Sequence, residues 1–447
     1  MKFEEMKLAL IAAAEQAGLK EYEIYYESEE SVSVETLKEE ISSFSSGMTG
    51  GVCFRCVVNG RMGYASGELM TEEAMADLVS RAISNAGCID SDDEAVIFAG
   101  SEHYASVDLP APTLTDAAVL RDTALQLQRM TYAESDKVSD GTQSFMMSSV
   151  GEVHLYNSHG LSLSNRVGIT AGYASAVVRN GEEAQEAYEA GVGGNIGELC
   201  GLPAAAVKKA LDKMGAELVE SGKYNVVFSG EQFRQFLSTF AEVFSAKQAQ
   251  LGLSLLAGKE GEAIAAKLVT VTDDPLRAGY PMQAPFDGEG VATYRKSVIE
   301  KGILKTLLYD LSTAAKAGVP STGNGQKHGY ASTVSIEPYS FGMEAGDCAR
   351  DALFALAEDG IYITECKGFH AGANPVTGDF SIESAGFRIR NGKIAEPIKS
   401  FTVAGNFFDL LKRIDRLGDR VYWSPFGGST TFGSPDVLVR EMSVAGK

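Results

Sequence analysis

The chain has 447 residues, 45% hydrophobic and 22% charged, and 39 Lys plus Arg against 60 Asp plus Glu give a formal charge of -21. That length exceeds one ordinary core and that composition belongs to a folded chain rather than a disordered one, so two domains are expected. The acidic balance argues against direct nucleic-acid binding, since the densest basic stretch, LLKRIDRLGDR at 410–420, is interleaved with acids and reads as a solvated helix face.

The run MKFEEMKLALIAAAEQAG places Glu4 and Glu5 before a short apolar stretch that turns amphipathic instead of reaching a cleavage site. No later segment has the apolar length of a membrane span, and the expected location is the cytoplasm. Residues 4–17 are predicted to be a helix, with Phe3, Met6, Leu10, Ile11 and Ala14 along one stripe. From Tyr22 the chain alternates polar and apolar residues, with turn signals at MTGG and VNGR, the pattern of an antiparallel meander. A helix capped by Thr71 follows, then a third capped by Thr115 or Asp116. Strands return with hairpin turns at NSHG and RNGE, and a helix at about 203–218 leads out. Residues 1–220 are therefore expected to form an α+β domain, an N-terminal antiparallel sheet with helices.

Residues 221–447 are strand-rich and glycine-punctuated, with turns at EKGI and RNGK, and are expected to form a β-rich, barrel-like domain. One helix at 231–247 interrupts them. It brings Phe233, Phe236, Leu237, Phe240, Val243 and Phe244 to one wide aromatic face.

Motifs for chemistry are sparse. There is no Gly-Lys-Ser or Gly-Lys-Thr for a phosphate loop, the runs GVGGNIG and GNGQKHG lack dinucleotide spacing, and no Gly-x-Ser-x-Gly offers a nucleophile elbow. Six cysteines are too few for a disulfide scaffold and suit a reducing compartment. Cys53 and Cys56 form a CxxC, but on a strand a spacing of three sends the side chains to opposite faces. The histidines are His103, His154, His159, His328 and His370; His154 and His159 straddle a hairpin end and read as structural. Cys366 and His370 offer sulfur and imidazole four residues apart, without a clear third zinc ligand. Asp273 and Asp274 before Pro275 read as a turn rather than a carboxylate pair. The stretch GANPVTGDFSIESAGFRI, 371–388, is the most unusual: Asn374, Thr377, Gly378, Asp379 and Ser381 crowd together just before a strand, as a substrate loop or a tight turn.

The run Asn374, Thr377, Gly378, Asp379, then Gly386 with Phe387, the Asn391-Gly392 turn and Thr402 with Ala404 to Asn406, resembles the C-terminal region of the TldD/PmbA family, also called modulators of DNA gyrase. VTVTDDP, STGNG and GEVHLYNSHGLSLSN fit it as well, so the likeness spans nearly the whole chain. The resemblance implies an N-terminal α+β domain, a barrel-like C-terminal domain, and a cytosolic metallopeptidase that works as a dimer on unfolded peptides. It also implies a TldD-type catalytic chain whose His-Glu-x-x-x-His helix and later Cys hold zinc, the Glu acting as base to a bound water. This sequence departs there: no His lies between His159 and His328, and no Cys follows Cys366, so SPFGGSTTFGSP lacks the sulfur ligand.

The chain thus resembles the PmbA/TldE branch, with no metal or cofactor of its own and zinc expected in a TldD-type partner. Its expected partners are that subunit or a second copy of itself, and an unfolded peptide. Asn374, Thr377, Gly378, Asp379 and Ser381 are then expected at the substrate or the subunit interface. Two alternatives stay open: a homodimeric hydrolase using Cys366, His370 and Asp379, and a regulator that binds gyrase or its inhibitors.

Overall fold

The computed structural model describes residues 3–89, 95–428 and 430–447. In the first half, helix α1 (Phe3–Gln16) leads into the hairpin of β1 (Tyr22–Leu37) and β2 (Glu40–Val58), followed by β3 (Arg61–Gly67) and helix α2 (Glu72–Ala86). Helix α3 (Ala117–Ala133) precedes β4 (Gln143–Asn157), β5 (Ser162–Asn180) and β6 (Glu183–Val192), and α4 (Leu202–Asp212) closes this half. The six strands make one antiparallel sheet in the order β3-β2-β1-β4-β5-β6.

Local chemistry sets these boundaries. Thr71 accepts a hydrogen bond from the Ala74 N–H at 3.2 Å to start α2, and the Asp116 carboxylate accepts from Ala118 at 2.7 Å to start α3. Asn59 and Gly60 turn with φ of 51° and 76°, as the VNGR signal requires. The MTGG signal does not turn: β2 runs straight through it, and the hairpin is made instead by Lys38 and Glu39, with φ of 55° and 59°. Gly51 serves a contact made from far along the chain, since a Cβ there would stand 2.4 Å from the Tyr330 ring. The last helix of this half is also shorter than its sequence pattern, ending at Asp212.

The sheet buries both faces near β1. Tyr22, Ile24, Val52, Phe54 and Cys56 pack under α1 and α2, while Tyr25, Cys53 and Leu155 meet Phe286 of the second half. Cys53 and Cys56 therefore do face opposite ways. Further along, Val32 and Val34 pack on Leu120, Ala124 and Leu127 of α3. β3 pairs only with Val52–Val58, so the outer edge of β2 over residues 40–50 has no strand beside it among the described residues, and Phe44 and Met48 are exposed there.

The second half contains a closed five-stranded barrel. Its strands are β7 (Gly222–Phe228), β8 (Gly360–Lys367), β9 (Asp379–Arg390), β10 (Lys393–Asn406) and β11 (Val437–Ala445). The order is β11-β7-β8-β9-β10, and β10 pairs back onto β11 through Thr402–Ala404; β7 and β8 run parallel, the other neighbours antiparallel. Helix α5 (Gly230–Thr239) lies between β7 and β8 in the chain, and Phe233, Phe236, Phe240 and Phe244 are all at most 1% exposed. Each such side chain contributes about 1.5–3 kcal/mol by leaving water. The helix is not continuous over 231–247: it stops at Thr239, a 3-10 turn spans Ala241–Phe244, and Ser245 is extended before a short helix Ala246–Gln250. The aromatic face survives the break because each segment still points its phenylalanines inward.

No helix among the described residues is long and apolar enough to cross a membrane.

Candidate functional site

The stretch 374–379 forms a tight turn at the mouth of the β9–β10 hairpin. The Asn374 side-chain oxygen accepts from the N–H groups of Val376 and Thr377 at 3.0 and 3.3 Å, and the Gly378 N–H donates to the Asn374 carbonyl at 2.8 Å. Asn406 of β10 locks it, donating to the Thr377 carbonyl at 2.8 Å and to the Asp379 carboxylate at 3.0 Å. Those Asn406 and Thr377 contacts hold the Asp379 carboxyl below its ordinary range. Gly378 has φ of 80°, and a Cβ on it would come within 2.7 Å of the Phe408 ring. Asn374, Thr377, Gly378 and Asp379 are thus gathered into one self-bonded unit. Ser381 is exposed on β9 opposite Ala404, outside the turn.

Cys366, His370 and Asp379 form no such unit. The Cys366 thiol belongs to the barrel core, 3.8 Å from the Ser384 hydroxyl, and burial pushes it up to about 12; His370 is exposed on a four-residue helix, Phe369–Gly372. A thiol held neutral in the core is a poor nucleophile at pH 7. His154 stacks on Phe3 with centroids 4.1 Å apart and bonds Glu152, while His159 sits in the β4–β5 turn. Asp274 accepts from Leu276 in a turn, whereas Asp273 faces the interior, bonding Lys296 at 3.1 Å, Asn324 at 2.8 Å and the Tyr339 N–H at 2.7 Å. Among the described residues, no three His, Cys, Asp or Glu side chains gather as metal ligands.

The densest polar chemistry lies where the first sheet meets loops of the second half. Glu23 and Arg55 face each other across β1 and β2, joined by two contacts of 2.7 and 2.9 Å, with exposures of 0% and 2%. Glu289 approaches Arg55 at 3.5 Å and accepts from the Leu311 N–H at 2.8 Å. Two residues before Glu289, Asp287 accepts from the N–H groups of Glu289, Val291 and Gly325. Burial raises the Asp287 and Glu289 carboxyls; the Glu289 charge adds to the first, and Arg55 opposes the second.

Beside this knot, residues 327–330 close over β1 and β2 and leave a cavity of about 420 Å³, lined by Glu27, Glu29, Thr49, Lys327, His328 and Tyr330 among others. No sequence motif marks these residues. GNGQKHG shows only as a loop, and Glu27 is one acid among several in YYESEES.

Three family models match the chain: PmbA/TldA metallopeptidase domain 1 over residues 22–86, the central domain over 110–214, and the C-terminal domain over 221–446. An uncharacterised protein of Methanocaldococcus jannaschii is 29% identical, covering 92% of this chain and 94% of its own. The metalloprotease PmbA of Escherichia coli O157:H7 is 25% identical, covering 93% and 90% respectively. Among solved structures, a Thermotoga maritima protein described as a modulator of a DNA gyrase superposes with a TM-score of 0.88 at 27% identity, over 99% of this chain and 100% of that one. TldE from Thermococcus kodakarensis shares the fold at a TM-score of 0.88 and 21% identity, over 98% and 99%.

Proposed function

The chain belongs to the PmbA/TldD metallopeptidase family, and on that premise we propose that it is the PmbA/TldE-like, zinc-free subunit of a cytosolic two-chain peptidase acting on unfolded peptides. The observation that carries this reading is the distribution of donors. Helix α5 and the turn that follows it, where the resemblance puts the zinc helix of a TldD-type chain, present Phe233, Phe236 and Phe240 inward and hold no His, and no Cys follows Cys366. Zinc requires several imidazole, thiolate or carboxylate ligands at that place, and the carboxylate of α5, Glu231, is engaged by Lys209 at 3.0 Å. The residues present do not fit it, and the metal belongs in the partner.

What remains for this chain is to shape and enclose the reaction space. The unflanked edge of β2 over residues 40–50 offers backbone groups for an extended strand, from a peptide or a partner subunit. The turn of Asn374, Thr377, Gly378 and Asp379, with Ser381 beside it, presents a rigid polar rim suited to an interface or a substrate. Its hydrogen bonds are made before any partner arrives, so docking on it orders little further. The test is reconstitution. Peptide cleavage should be absent from the purified chain and appear when a TldD-type chain from the same source is added; equal cleavage by that chain alone would remove the proposed role.

A further inference from the structure

Phe286 and loops of the second half cover the sheet face of Tyr25, Cys53 and Leu155 at one end. Side chains alternate between faces along a strand, so the same face continues outward through Glu35 of β1, Phe145 of β4 and Tyr173 of β5, side by side in one cross-strand row. Met147, Ile169 and Val192 stand on that face in the rows beside it, half-buried or exposed. A Cβ placed on Gly47, on the same face of β2, would meet nothing within 4 Å. This end of the sheet is open.

Its aromatic side chains form a ladder. Phe145 stacks on Tyr173 with ring centroids 5.4 Å apart, and Tyr188 of β6, 64% exposed, meets Tyr173 edge-on at 6.5 Å. A carboxylate stands at each end: Glu35 directly beside Phe145, and Glu186 two residues before Tyr188 on the same face of β6. Burial raises the Tyr173 hydroxyl above its ordinary range, and both carboxylates raise it further, which places them within electrostatic reach of the ring. Glu35 has no ion pair among the described residues, and the Glu186 carboxylate accepts from Ser175 at 3.4 Å. The neighbouring cations are engaged: Lys213 and Lys367 both pair with Glu365, and Arg234 donates to the Trp423 carbonyl at 2.5 Å. On the other side of Glu35, the Ser33, Ser43 and Ser45 hydroxyls line β1 and β2 without a hydrogen bond among the described residues.

We propose that this open face binds an extended peptide through a Lys or Arg side chain laid on the Tyr173 and Tyr188 rings between Glu35 and Glu186. Aromatic faces attract a cation, and two carboxylates without a cation of their own add to that attraction. The serine hydroxyls beside them suit the peptide's backbone, since each can donate and accept. A second copy of this chain is the poorer occupant, because it brings a further charge of -21 to an acidic face. The recognition of a cation stands on these side chains alone; that the ligand is an extended peptide rests on the peptidase reading.

The experiment is calorimetric titration of the isolated full-length chain with acetyl-Ala-Lys-Ala-Lys-Ala-amide and with counterparts carrying norleucine or Glu in place of Lys. Salt at about 0.15 M screens attraction beyond about 8 Å. The Lys peptide should bind about three- to tenfold tighter than the norleucine peptide, the range for a cation on aromatic rings, and the Glu peptide should bind weakest. Tyr188→Leu and Glu35→Gln should each cut that preference about threefold or more with the melting temperature kept. Glu73→Gln, on α2 across the sheet, should leave it unchanged. No binding by wild type, or equal binding of the Lys and norleucine peptides, overturns the proposal. So does an equal loss in Glu73→Gln, which makes net charge the cause. A Tyr188→Leu variant that keeps the preference but changes its sedimentation coefficient also overturns it, since the face then belongs to a contact between copies. Neither a partner chain nor cleavage enters the assay, so failure here leaves the subunit reading intact, and failure of reconstitution leaves the cation site intact.

Discussion

Replacing Arg55 by Met keeps the length of the buried side chain and removes its charge, leaving Glu23 and Glu289 without their shared cation at exposures of 0% and 5%. A carboxyl stranded in that way either stays charged without a counter-ion or takes up a proton. The second route costs about 1.4 kcal/mol for each pH unit above the ordinary carboxyl range, hence about 3–4 kcal/mol at pH 7. That agrees with the roughly 3–5 kcal/mol expected when one partner of a buried pair is deleted. The proton cost also falls as pH falls, by about 2 kcal/mol between pH 7 and pH 5.5. Urea denaturation of wild type and Arg55→Met at both pH values measures each quantity. The double variant Arg55→Met/Glu23→Leu should recover much of the loss, since a buried ion pair contributes little over an apolar pair of similar size. A single-variant cost below about 1 kcal/mol, or one that does not shrink on acidification, would refute the reasoning.

Glu289→Gln should flatten the dependence of stability on pH between about 5 and 8. The folded-state carboxyl is raised above its ordinary value, so the native state binds more protons there and the wild type loses stability as pH rises through that window, a loss the neutral amide does not suffer. Thermal melts across the window check the sign. Gly378→Ala should cost about 1–2 kcal/mol, because the residue holds φ of 80° and its new methyl group meets the Phe408 ring; an unchanged melting temperature would show that the turn is soft. With a thiol reagent at pH 8 the exposed Cys88 and Cys200 should react first and Cys366 only after denaturation. Fast labelling of Cys366 in the native protein would revive a thiol-based site.

Features decided by neighbours in sequence were legible. Asn59-Gly60 and Asn391-Gly392 mark hairpins because both residues of each pair take positive φ, and Thr71 announces α2 because its hydroxyl reaches an N–H three residues on. The CxxC could be set aside from strand alternation alone. Features decided by distant residues were not. Gly50 and Gly51 read as a turn, although Gly51 is small to admit Tyr330. The break after Thr239 is hidden because phenylalanine spacing looks alike on one long helix and on two short ones. Arg55 reaches Glu23 across 32 residues and Glu289 across 234, so no local pattern could foretell their contact. Barrel closure, β10 onto β11, is of the same kind. The run 374–381 was singled out by composition, and its geometry explains the crowding of Asn374, Thr377 and Asp379, whose polar groups satisfy one another within the turn or on Asn406, while Ser381 stands outside it.

Metal stoichiometry tests the central claim most directly. Measured by elemental analysis alongside peptide cleavage, the purified chain should carry no bound zinc and no chelator-sensitive activity, while its complex with a TldD-type chain should carry both. Stoichiometric zinc and cleavage on the purified chain alone would contradict the account.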